Sequence, residues 1–348
     1  MTDLVHYRAL ALQTRCDAVN GLSPDDARAR MRATIDRVGR QIASSKRFVG
    51  PDVRLVVLPE YFLTSYPTGE SIEAWQACAA LRVDGPEYEQ LGRIAVDNDL
   101  YLSGNAYEVD DAFPELYFQT SFIIDPSGDV ILRYRRLVSM FAPTPHDVWD
   151  RYLDVHGEDA VFPVVDTPLG RLATVASEEI LYPEIARAFA LKGAEVLLHS
   201  TSEVGSPGLT PKDIAKRARA VENMVYVVSA NSAGIRSAGD TFPAESTDGM
   251  SKIVDSQGQV ICEAGFGETM VANAAIDIPA LRRWRRRPGM GNVLSRQRLE
   301  LFRSVYAGQV HGANAMLDDT GKVVVPDRGQ FVAVQRDIIN KLVSEGRL

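Results

Sequence analysis

Cysteine is scarce in this chain. Cys16, Cys78 and Cys262 are its three, at no spacing that suits a metal site or a disulfide framework. A disulfide-stapled secreted scaffold is therefore excluded, and reduced, cytoplasmic thiols are the simplest account. Basic charge is short as well: 38 Lys and Arg against 46 Asp and Glu leave a formal net charge of -8. That balance argues against a nucleic-acid partner or an anionic membrane surface. No apolar run approaches the roughly 18 residues that a membrane span needs. The amino-terminal MTDLVHYRALALQ has an early Asp and no long apolar core, so it does not read as a signal peptide. No internal repeat suggests a solenoid, and no pattern of residues implies a metal or a cofactor.

What is present is enough apolar material for a full core. The 348 residues are 45% hydrophobic, which suits one large domain or two. The stretch from Gly170 to Ala194 organises the rest. An apolar-leaning run, Leu172 to Ala176, stops at the polar triplet Ser177-Glu178-Glu179. Pro183 then opens a helical pattern, Gly193 closes it, and a second apolar run reaches His199. Strand, sharp polar turn, helix, strand: such a unit presents one side chain at the carboxyl end of a strand. That side chain is Ser177.

Around it the chain alternates between the two periods. Tyr7 to Gln13 reads as a buried strand. Ser23-Pro24-Asp25-Asp26 is a helix start, with a capping hydroxyl, Pro in the first turn and acids at the positive end of the dipole. Met31, Ile35, Val38 and Ile42 give that helix one apolar face. Val53 to Leu58 is a strand that ends at Pro59-Glu60-Tyr61. Glu87 to Asn98 is a helix, Leu100 to Asn105 a strand, and Tyr117 to Ile124 with Val130 to Arg133 a hairpin across Asp125-Pro126-Ser127-Gly128. Met140 to Gly157 is Pro-rich and aromatic and reads as a loop. Lys212 to Asn223 is a helix and Val225 to Ala230 a strand.

These segments resemble the carbon–nitrogen hydrolase (nitrilase/amidase) superfamily. Pro183-Glu184, Ala186-Arg187 and Gly193-Ala194-Glu195 fall in register with its nucleophile region, and Leu58-Pro59-Glu60-Tyr61 with its general-base segment. Tyr134-Arg135-Arg136 stands where the family carries a Tyr-Arg-Lys triplet, and Arg219-Ala220, Glu222-Asn223 and Ala230-Asn231 match a further signature. The resemblance runs from about Tyr7 to Arg283. It implies an α/β fold, the four-layer αββα sandwich, in one domain over residues 1–283. It also implies hydrolysis of a non-peptide C–N bond in a small amide or nitrile by a Glu–Lys–Cys triad. Glu60, Arg136 and Ser177 occupy the three positions, so two of the three residue types differ.

The two differences have unequal chemical weight. Arg keeps the cation but is planar and bulkier than Lys. Ser in place of Cys matters more, because a thiol near pKa ~8.5 is already partly thiolate at neutral pH, whereas a hydroxyl needs a base. Three accounts stand open: an engineered replacement of Cys, a natural hydrolase with a Glu60–Arg136–Ser177 site, and a catalytically inactive scaffold kept for ligand binding or assembly. Tyr61, Trp149, Glu178, Tyr182 and His199 are the candidates for lining the substrate site, and His199 is also placed to assist Ser177. No acidic residue is assignable as the family's second Glu. Residues 284–348 open with the basic run RRWRRR, which begins at Arg282, and read as an oligomerisation arm. Their Leu299, Leu301, Phe302, Val305 and Tyr306 need a surface to cover, so self-association is expected.

Overall fold

The computed structural model describes residues 6–203, 208–236, 249–308 and 310–348. The first five residues, part of the stretch read above as no signal peptide, lie outside it. In chain order the first half holds β1 (Tyr7–Ala11), β2 (Cys16–Asp17), α1 (Pro24–Val49), β3 (Val53–Val57), α2 (Ile72–Ala79), α3 (Pro86–Asn98), β4 (Tyr101–Val109), β5 (Tyr117–Ile124) and β6 (Val130–Arg135). There follow α4 (Trp149–His156), β7 (Val165–Thr167), β8 (Gly170–Ala176), α5 (Pro183–Leu191), β9 (Val196–Thr201), α6 (Pro211–Asn223), β10 (Tyr226–Asn231) and β11 (Ile235–Arg236). The chain finishes with β12 (Lys252–Val254), β13 (Val260–Glu263), β14 (Asn273–Ile276), α7 (Ile278–Arg286), α8 (Arg303–Tyr306) and α9 (Arg328–Ser344).

Among the described residues two six-stranded sheets form, ordered β14-β1-β3-β4-β5-β6 and β13-β12-β10-β9-β8-β7, beside the small pair β11-β2. The strand period of two sorts their side chains. On β1, Leu10 packs under the first helical layer, whereas Tyr7, Ala9 and Ala11 join the core between the sheets. Helices α1 and α3 cover the first sheet, and α5 and α6 cover the second. This is the expected four-layer αββα sandwich.

Local chemistry explains the elements that frame the site. Ser23 Oγ accepts the Asp26 amide at 3.2 Å, capping α1, and Met31, Ile35, Val38 and Ile42 are fully buried beneath it. Each such side chain contributes roughly 1.5–3 kcal/mol on burial. Between residues 140 and 157 the chain departs from the loop expected there: a short turn over Pro145–Val148 leads into α4. Pro145 sits in the first turn, where its missing amide costs nothing. Asp147 accepts the Thr144 amide at 2.8 Å, and the apolar face of Tyr152 is buried.

The boundary read after Arg283 falls inside α7, and the basic run is tied to the sandwich. Arg282 forms a two-pronged pair with Glu195 at 2.6 and 2.8 Å, and Arg285 donates to the carbonyls of Ala194 and Met224. Further on, the chain packs back against the turn before α4 and the first core. The amides of Asn314 and Met316 donate to the His146 and Asp147 carbonyls, and Met316 and Val323 join the first core. Arg328 donates to the Pro67 carbonyl at 2.8 Å and lies 4.9 Å over the Phe141 ring. Leu299, Leu301, Phe302, Val305 and Tyr306 remain exposed on the single chain.

Candidate active site

Glu60 follows β3 and Arg136 follows β6, in the same sheet. Glu60 is fully buried, and its two oxygens are fully engaged. Oε1 accepts Arg136 Nη1 at 3.1 Å and Gln119 Nε2 at 2.7 Å; Oε2 accepts Ser202 Oγ at 2.9 Å. Arg136 also donates from Nη1 to Gln119 Oε1 at 2.6 Å, from Nε to the Val138 carbonyl at 2.7 Å, and from Nη2 to the Glu178 carboxylate. Burial opposes its charge, but the Glu60 carboxylate beside it prevails and raises the guanidinium above its ordinary value. The guanidinium is held by its surroundings on every side.

Ser177 follows β8 in the opposite sheet with φ +48°, the left-handed region that non-glycine residues seldom adopt. Three side chains fix that conformation. His199 Nε2 lies 2.9 Å from the Ser177 carbonyl oxygen, and its Nδ1 lies 2.9 Å from Ser229 Oγ. Arg219 donates to the carbonyls of Ile180 and Leu181 at 2.9 and 2.8 Å. Glu179, buried within the turn, accepts Tyr134 Oη, the Leu137 amide and the Ala176 amide at 2.8, 2.7 and 3.2 Å. Burial pushes the Glu179 carboxyl up to about 7. Through Glu179 the exits of β6 and β8 are stapled together, which sets Arg136 against the Ser177 turn.

The chain matches the family profile described as carbon-nitrogen hydrolase over residues 20–286. It belongs to that family. This carbon–nitrogen hydrolase family member is similar to the omega-amidase NIT2-B of Xenopus laevis, 25% identical over 246 residues that cover 71% of this chain and 84% of the relative. The omega-amidase NIT3 of Saccharomyces cerevisiae is also 25% identical, over 64% of this chain and 74% of its own. Among solved structures, the carbon-nitrogen hydrolase from Helicobacter pylori G27 superposes with a TM-score of 0.66 at 19% identity, covering 87% of this chain and 99% of that one. A double mutant of the amidase from Nesterenkonia sp. AN1, in complex with acrylamide, superposes at 0.61 with 21% identity, covering 86% and 97%.

In this family member, Glu60 and Arg136 are in direct contact, and Ser177 meets them through its neighbour Glu178. Tyr61 borders Glu60, its ring stacked on Tyr107 at 5.9 Å, and burial raises its phenol well above the ordinary value. Glu178 and Tyr182 line a cavity of about 220 Å³, whose far wall is built by Met316, Phe331 and Gln335 of the returning tail. Trp149 lies elsewhere, 6.0 Å from His146. His199 is completely buried beneath the Ser177 backbone, and desolvation keeps its imidazole well below the usual value. It holds the turn rather than facing the cavity.

Sequence reasoning missed three polar neighbours. Gln119 and Ser202 complete the ring of partners around Glu60, and Lys212 Nζ lies 3.2 Å from Ser177 Oγ. Gln119 faces inward on a strand read only as one arm of a hairpin. Lys212 was legible only as the first residue of a helix. None carries a local motif.

Proposed function

We propose that the chain hydrolyses the C–N bond of a small amide, with Ser177 as nucleophile and Glu60 as proton carrier beside Arg136. The observation that carries this reading is the convergence of a strained, strand-end hydroxyl and a buried, fully hydrogen-bonded Glu–Arg pair at one end of two facing sheets. Strain held in place by surrounding contacts is characteristic of catalytic turns. Ser177 Oγ would bond to the amide carbon as the carbonyl electrons move to oxygen. Collapse would expel the amine, and water would release the acyl group as a carboxylic acid, with Glu60 moving protons to and from water. The relatives named omega-amidases and the amidase crystallised with acrylamide support an amide over a nitrile. Free thiols at Cys16, Cys78 and Cys262 suit a reducing, cytoplasmic setting, and among the described residues no helix is long and apolar enough to cross a membrane.

Turnover of a panel of short aliphatic amides, with Ser177→Ala as the blank, tests the reading. Ammonia release by the wild type and none by the variant is the expected result. Arg136 favours a second reading, because its bonds to Glu60, Gln119, Glu178 and Val138 leave little of the guanidinium for a substrate oxygen. A wild type that never acylates on any amide would make the protein a catalytically inactive, ligand-binding or oligomeric scaffold.

Self-association belongs to the same proposal. Leu299, Leu301, Phe302, Val305 and Tyr306 stay exposed on a segment tied to its own chain by the Tyr306 hydroxyl, which donates to Glu184 at 3.1 Å, and a second copy would cover them. Light scattering at micromolar concentration should give a dimer mass or higher, and a monomer mass would refute the assignment.

A further inference from the structure

We propose that Lys212 is the group that exchanges a proton with Ser177, so that the nucleophile works as a Ser–Lys pair. This rests on the reading of Ser177 as a hydrolytic nucleophile. Two facts motivate it. First, among the described residues the hydrogen-bond partner of Ser177 Oγ is Lys212 Nζ at 3.2 Å; neither Glu60 nor Arg136 is bonded to it. Second, the other nearby bases are committed elsewhere. His199 contacts the Ser177 carbonyl and Ser229 with its two nitrogens, and Glu60 faces Arg136, Gln119 and Ser202.

The position of Lys212 is built by its helix. Lys212, Lys216 and Arg219 stand at i, i+4 and i+7 on α6 and therefore share one face. Arg219 clamps the far end of the Ser177 turn at the Ile180 and Leu181 carbonyls. Lys216 is buried between Glu203 and Asp213. The start of the helix is fixed by Thr210, whose Oγ1 accepts the Asp213 amide at 3.1 Å. With the helix anchored at both ends, Lys212 Nζ is held between Ser177 Oγ and Thr201 Oγ1, the latter at 3.3 Å.

As an amine, Lys212 takes the Ser177 hydroxyl proton while Oγ bonds to the amide carbon and the carbonyl electron pair moves onto oxygen. The resulting ammonium then gives that proton to the leaving nitrogen as the C–N bond breaks and the carbonyl re-forms. An acyl-serine and a neutral amine remain, and water cleaves the ester to return Ser177 and a carboxylic acid. Arginine cannot replace this group, because a guanidinium does not deprotonate in a protein.

The test uses full-length wild type, Ser177→Ala, Lys212→Met and Lys212→Arg, each acylated with p-nitrophenyl acetate. Intact mass and peptide mapping follow acetylation of residue 177 between pH 6 and 10. The expected result is wild-type labelling at Ser177 that accelerates with pH. Lys212→Met should be slower by about 10²–10⁴-fold, the range typical of a lost general base. Lys212→Arg should be equally slow. Labelling of Lys212→Met within about threefold of wild type would overturn the pair while leaving Ser177 as nucleophile. Restored labelling in Lys212→Arg would overturn proton transfer in favour of a fixed charge. Should Lys212→Met not fold, Lys212→Arg decides alone. A wild type that acquires no acetyl group at Ser177 would overturn the hydrolase reading as well, so the two failures are distinguishable.

Discussion

Arg136→Met should lower the unfolding free energy by about 3–5 kcal/mol, the usual cost of removing one partner from a buried ion pair. The reason lies in what stays behind. Glu60 is completely buried and would keep Gln119, Ser202 and the Tyr61 hydroxyl, with no cation among them to balance a charge taken out of water. Gln119 Oε1 would lose its 2.6 Å donor, and the Val138 carbonyl its 2.7 Å donor. Urea denaturation at pH 7 measures the effect. The double variant Arg136→Met, Glu60→Gln should recover part of the loss, because no unpaired carboxylate then remains. A single variant within about 1 kcal/mol of wild type would mean that water reaches Glu60 and screens it.

Glu60→Gln alone should harm stability less, because the Arg136 guanidinium keeps the Glu178 carboxylate as a counter-ion, and should cost much of the turnover. Gln is nearly the same shape, and it can be oriented to keep every contact. Its carbonyl oxygen would accept from Arg136 and Gln119, and its amide would donate to Ser202 Oγ where the carboxylate now accepts. What Gln lacks is the ability to carry a proton. The expected outcome is kcat on the preferred amide reduced by about 10²–10⁴-fold, with the melting temperature shifted by only a few degrees. Unchanged kcat would remove Glu60 from the mechanism and leave it as the counter-ion of Arg136.

Much of this arrangement was readable from residue order, because its signals are local. A capping Ser23 before Pro24, the apolar stripe Met31–Ile35–Val38–Ile42 and the abrupt polar ends after β3 and β8 each reflect a backbone rule acting over a few residues. The same rules located Glu60 and Ser177 at strand ends. They failed wherever a contact joins distant segments. Gln119 meets Glu60 across the sheet, and Lys212 reaches Ser177 from a helix that follows the next strand, so neither relation leaves a trace in spacing. The α4 segment was misread for a different reason: Pro145 and the flanking aromatics look like loop composition, yet a proline in a first turn starts a helix, and Tyr152 supplies the buried face that stabilises it.

The tail that closes the cavity belongs to the same polypeptide as the residues it covers. Met316 and Phe331 are therefore held beside Tyr182 and Glu178 by the fold of one chain. Dilution can separate copies of the molecule but cannot remove this wall. Whatever assembly the exposed residues from Leu299 to Tyr306 support, the lining of this cavity comes from one chain, and under the proposed amide hydrolysis selectivity should stay constant from nanomolar to micromolar protein.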